Sequence, residues 1–80
     1  MSQITSGDFL EKFIAIFEDT DPATIQIDTS FKDLDEWSSM VALSLIAMAN
    51  EEYNIKLSGD DIRSSVTVND LLTRVNNKLA

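Results

Sequence analysis

Eighty residues with 44% hydrophobic and 25% charged side chains make a single folding domain, 1–80, whose thin core hides only about 60% of the unfolded surface. Fourteen Asp and Glu against six Lys and Arg leave a net charge of −8, which argues against nucleic acid and anionic membranes and favours a protein partner with a basic patch. Cysteine and histidine are both absent, so a disulfide framework, a Cys/His zinc site and a Ser/His/Asp arrangement are excluded and self-contained catalysis is not expected.

The first element opens at Thr5 with Asp8 three residues on, a pattern in which hydroxyl and carboxylate satisfy the free amides of a helix start. Phe9, Leu10, Phe13, Ile16 and Phe17 then fall at helical spacing, with Asp8, Glu11, Lys12 and Glu18 between them, predicting a helix with one apolar and one charged face. Asp19 to Ser38 is a long connection in which Pro22 and Thr29-Ser30 mark turns. A loop of that length in a small domain has to be pinned, and Ile25, Ile27, Phe31 and Leu34 are the available anchors. Ile25-Gln26-Ile27 has strand character but no partner strand elsewhere in the sequence, so an extended loop packed on the bundle is expected. Trp37 is expected to cover loop and bundle rather than grip a partner. Asp33, Asp35 and Glu36 lack the glycine and bidentate glutamate of a calcium loop, so no specific metal site is expected.

The stretch LDEWSSM, Leu34 to Met40, then sets two adjacent serines where an apolar segment begins. A serine there caps the second helix by accepting from an amide of its first turn, and Ser38 is the better placed for it. Neither serine is a hydrolase nucleophile, because there is no histidine to take its proton and no G-x-S-x-G elbow. Any reaction at either hydroxyl has to be carried out by another protein.

From Met40 to Ala49 the only polar residue is Ser44. A rotation of about 100° per residue puts Ala42, Leu45, Ile46, Ala49 and Tyr53 on one side, the core stripe. Met40, Ser44, Ala47 and Glu51 lie opposite, Leu43 and Asn50 at that strip's edge, and Val41 and Met48 between the two sides. A helix apolar nearly all round is either central in its domain or carries a docking surface for another protein. The apolar run is too short to span a bilayer, and the chain does not start with a basic region followed by an apolar one, so a cytoplasmic protein without membrane insertion is expected.

Ser58 with Asp61 and Thr67 with Asp70 repeat the capping pattern. The first opens a helix of one or two turns, Gly59 to Ser64. The second opens a last helix in which Val68, Leu71, Leu72, Val75 and Leu79 form the apolar face. The expected fold is all-α, a small four-helix bundle of three main helices and one short one, with a long first loop.

Three stretches carry a likeness to a known family. They are Glu51-Glu52-Tyr53 at the end of the second helix, Ile55-Lys56-Leu57 with Ser58-Gly59-Asp60-Asp61 at the entry to the short helix, and Thr67-Val68-Asn69-Asp70-Leu71 at the start of the last. With the order of elements and the acidity, they make the chain resemble the acyl carrier proteins over almost its whole length. In that family a serine in an Asp-Ser-Leu motif, opening the second helix, receives 4′-phosphopantetheine from coenzyme A through a separate transferase. Aligned on Glu51-Glu52-Tyr53, the resemblance puts Ser39 on that serine, Ser38 in place of the aspartate and Met40 in place of the leucine. The family's Leu-Gly-x-Asp-Ser is here Leu34-Asp-Glu-Trp-Ser-Ser39, one residue longer and without the glycine. Val41, Ser44 and Asn50 stand where the family is often acidic, so recognition is expected to lean on apolar contact.

The resemblance implies a freestanding, non-enzymatic, monomeric carrier that holds acyl intermediates as thioesters, in fatty acid biosynthesis or a related specialised acyl pathway. The partners implied are a phosphopantetheinyl transferase and acyl-transferring or synthase enzymes with basic docking patches. They would meet the strip of Met40, Leu43 and Ala47 and an acidic rim of Glu36, Glu51, Glu52, Asp60 and Asp61. The residues agree with such a role. A chain without cysteine needs its sulfur supplied, and a phosphodiester on Ser39 would lie beside the positive end of a helix dipole, near free amides. Helical rotation brings Ser39 close to Leu43 and Ile46, and Ala42, Ala49 and Met48 leave room for a bundle that parts to admit an acyl chain. The other reading is a noncovalent acidic adaptor whose Met40, Leu43, Ala47 strip binds a partner helix, both serines being structural.

Overall fold

The computed structural model describes residues 4–79, and the expected domain extends beyond it at 1–3 and 80. Four helices form an all-α bundle: α1 Ser6–Ile14, α2 Ser39–Tyr53, the short α3 Gly59–Arg63 and α4 Val68–Leu79. Each starts where a hydroxyl is available to cap it. The Thr5, Ser38, Ser58 and Thr67 side chains accept from the amides of Asp8, Val41, Asp61 and Asp70 at 3.2, 3.3, 3.1 and 3.2 Å. At Ser58 and Thr67 the acid reciprocates by accepting from the cap's own amide, both at 3.0 Å. At Thr5 it does not. Asp8 instead accepts from Tyr53 Oη at 2.8 Å and Lys12 Nζ at 3.2 Å, tying α1 to the last turn of α2.

Helix α1 is shorter than its apolar spacing implied. After Ile14 the chain tightens, with Ile16 N donating to Phe13 O at 3.1 Å and Phe17 N to Ile14 O at 3.0 Å. The turn seats Phe17 with its ring centre 5.2 Å from that of Phe13. Aromatic packing continues from Phe13 to Phe31 at 6.1 Å and from Phe31 to Trp37 at 4.9 Å. Around this line Phe9, Leu45, Ala49, Val68, Leu71 and Val75 are completely buried. Helix α4 packs beside both α1 and α3. Leu79, in phase with the α4 face, is 39% exposed.

The long loop holds short 3₁₀ turns at Pro22–Thr24 and Phe31–Asp33, which the sequence reading did not specify. No strand occurs among the described residues; an isolated bridge joins Ser30 to Thr67. Beside it the loop carbonyls of Ile27 and Thr29 accept from Asn69 N at 2.8 Å and Val68 N at 3.2 Å, satisfying two of the orphan amides at the start of α4. Of the four expected anchors, Ile25 and Phe31 are buried, and Ile27 and Leu34 are partly buried.

Candidate functional site: the head of α2 and its groove

The two serines at the head of α2 are sorted by one residue of register. Ser38 has extended backbone, φ −158° and ψ 175°, and its Oγ is the N-cap acceptor. Ser39 is the first helical residue and is exposed, and among the described residues its hydroxyl has no hydrogen-bond partner. No acid occupies the first turn of α2, so the positive end of its dipole is not offset by a carboxylate of that turn.

The faces of α2 separate sharply. Leu45 and Ala49 are wholly buried and Ala42, Ile46 and Tyr53 partly so, matching the expected core stripe. Met40 is 77% and Leu43 65% exposed, and Ser44, Ala47 and Glu51 are exposed with them. The helix is therefore not central: it lies on the core by one side and presents a second, small apolar strip to solvent.

Between that strip and α3 runs a groove of about 560 Å³ that begins at the serines. Trp37, Ala42, Ile46 and Ile62 form its apolar part, and Leu43, Gly59, Lys32 and Arg63 complete it. Trp37 thus covers Phe31 on one side and lines the groove on the other. A second surface cavity of about 530 Å³ lies in the loop among Asp19, Asp21, Asp33, Asp35 and Glu36. No cation lines it, and no cluster able to hold a metal ion occurs among the described residues.

The five acids expected to form a rim do not share one environment. Glu51 is exposed, Glu52 is 3.9 Å from Lys12, and exposed Asp60 pairs with Arg63. Glu36 and Asp61 are instead bonded within the molecule. Glu36 accepts from Thr20 Oγ1 at 2.7 Å, Glu18 N at 2.9 Å and Asp19 N at 3.0 Å, clamping the two ends of the loop together. The Thr20 hydroxyl, followed by the Glu18 amide, holds its carboxyl below the ordinary range. Asp61 caps α3 and meets Lys78 at 3.1 Å and Arg74 at 3.6 Å, its acidity increased first by the Ser58 amide and then by Lys78. No spacing rule separates such acids from solvent-facing ones, because their partners come from other elements.

Lys32 and Arg63 are groove residues that the sequence reading did not single out. The Lys32 ammonium donates to the Arg63 carbonyl at 2.7 Å and stands 5.7 Å from the centre of the Phe31 ring. The only sequence cue was a basic residue in the last turn of the short helix.

A family model described as the phosphopantetheine attachment site matches residues 8–75. No curated protein and no solved structure matches the chain.

Proposed function

Because the chain belongs to the phosphopantetheine attachment family, whose members carry 4′-phosphopantetheine covalently on a serine, we propose that Ser39 is that serine and that separate enzymes act on acyl groups held there as thioesters. The protein is a carrier, and carrier domains are not catalytic. The observation behind the assignment is the contrast at the head of α2: Ser38 is committed to the cap, while the exposed Ser39 hydroxyl is unengaged beside an open groove. These residues suit the group. A phosphodiester on Ser39 would sit at an acid-free helix start, and Ala42, Ile46 and Ile62 offer an apolar wall next to it. When attached, the group supplies on a flexible arm the thiol that this cysteine-free chain lacks.

The transferase and the acyl-transferring or synthase enzymes are proposed to dock on Met40, Leu43 and Ala47, with Glu51, Glu52 and Asp60 as the solvent-facing acids. Apolar contact supplies affinity there and the acids steer approach. The pathway we infer is fatty acid biosynthesis or a related specialised acyl route, an apolar groove being suited to an acyl chain. No helix among the described residues is long and apolar enough to cross a membrane, and a cytoplasmic monomer is proposed. The exposure of Met40 and Leu43 also favours a second reading, a noncovalent adaptor that binds a partner helix on the same strip.

Intact mass separates the two. Wild type, Ser38→Ala and Ser39→Ala are incubated with coenzyme A and a broad-specificity phosphopantetheinyl transferase. One phosphopantetheine unit is expected on wild type and on Ser38→Ala but not on Ser39→Ala, with Ser38→Ala about 1 kcal/mol less stable for loss of the cap. Loss confined to Ser38→Ala would move the attachment point by one residue, and no gain on wild type would favour the adaptor.

A further inference from the structure

Resting on the assignment of Ser39, we propose that Lys32, assisted by Arg63, binds the phosphodiester that joins the arm to Ser39 and so draws the arm along the α2–α3 groove. Cations are scarce in this chain, six against fourteen acids, and most of them face carboxylates. Lys12 meets Asp8 and Glu52, Arg74 and Lys78 meet Asp61, and Arg63 meets Asp60. Lys32 and Lys56 differ in that among the described residues no carboxylate lies within ion-pair distance of either; of the two only Lys32 lines the groove, its ammonium fixed by the Arg63 carbonyl at 2.7 Å. An ammonium has three donors, so two remain for an anion after that bond. Lys32, Arg63 and Ser39 all line the same groove. The anion that reaches it is the phosphodiester on Ser39, tethered there and charged at every physiological pH.

Charge-assisted N–H to phosphate bonds are about twice as strong as neutral ones. Asp60 is a weak competitor for Arg63, because its side chain is 85% exposed and that of Arg63 78%, and exposed ion pairs contribute little. Held at this end, the arm would follow Ile46 and Ile62 rather than extend into solvent. A partner would release it by offering the phosphate cations of its own.

The test uses protein loaded from coenzyme A, with loading read by intact mass and the arm's position by the phosphorus resonance of the phosphodiester and by backbone amide shifts. Wild type, Lys32→Ala and Lys32→Gln are compared between about 10 mM and about 150 mM salt, where the screening length falls from about 30 Å to about 8 Å. The glutamine keeps a donor for the Arg63 carbonyl but removes the charge. In wild type the phosphorus resonance is expected to move with salt toward the position it holds in both variants, and loading is expected to shift the amides of Ile46 and Ile62. Both effects should be lost in the two variants. A loaded wild type whose phosphorus and amide shifts equal those of the variants at low salt overturns this proposal and leaves the attachment reading intact. The absence of any mass gain on wild type overturns both.

Discussion

Phe31 is completely buried although its neighbours Ser30 and Lys32 belong to a loop, and its ring packs edge-on against both Phe13 of α1 and Trp37 ahead of α2. That one side chain attaches the connection to the core and sets Lys32 and Trp37 on the groove. Phe31→Ala is expected to lower the unfolding free energy by about 3–5 kcal/mol, the usual range for emptying a buried phenylalanine site. At roughly 0.05–0.15 kcal/mol per residue this is a large part of what a domain of 80 residues has. Urea titration measures it, and a loss below about 1 kcal/mol would mean that the loop is held elsewhere. The anchoring role was legible, because a large apolar residue in a polar connection has to be buried. Its aromatic partners were not, since residue spacing carries no information on which distant rings meet.

Among the elements, α2 shows best how a pattern and a packed structure divide the work. Rotation about its axis separated Leu45 and Ala49, both wholly buried, from Met40 and Leu43, at 77% and 65% exposure. It could not say whether the second strip was covered. That depended on which faces of α2 the other elements cover, which rotation about one axis does not carry. Met40→Glu tests the uncovered strip as a docking surface. It is expected to leave stability within about 0.5 kcal/mol of wild type, as for other surface changes. The kcat/KM of a partner synthase should fall about tenfold, equivalent to about 1.4 kcal/mol of lost transition-state binding. Thermal unfolding and steady-state kinetics on the same preparation separate the outcomes: a large loss of stability would assign Met40 to the core. Helix α1 gives the complementary lesson. Its apolar spacing ran on through Phe17, but the chain left the helix after Ile14 and brought Phe17 to the core by a tighter turn.

Over the whole molecule the excess of acid becomes a stability statement through the carboxylates that are bonded. Asp8, Glu36, Asp61 and Asp70 all titrate below their ordinary values of 3.8, 4.5, 3.8 and 3.8, lowered first by the Tyr53 hydroxyl, the Thr20 hydroxyl, the Ser58 amide and the Thr67 amide respectively. A folded-state value below the unfolded one means stability that is complete above the ordinary carboxylate range and is lost as pH falls through the lowered values. The thermal midpoint should therefore be nearly flat from about pH 7 to about pH 5 and then fall. Glu36→Gln should start lower at neutral pH and fall less steeply in acid; a midpoint that rises steadily below pH 4.5, Glu36's ordinary value, would show that relief of charge repulsion dominates instead. The sequence by itself determined four capped helices, the apolar faces they bury and the serine pair at a helix start, because caps and periodicity are local and are written within a few residues. Only the tertiary structure decided that Glu36 and Asp61 bond inward, that α2 leaves a strip open, and that Lys32 meets Arg63 at the groove beside Ser39. Those outcomes join residues from separate elements, and no local pattern carries the distance between them.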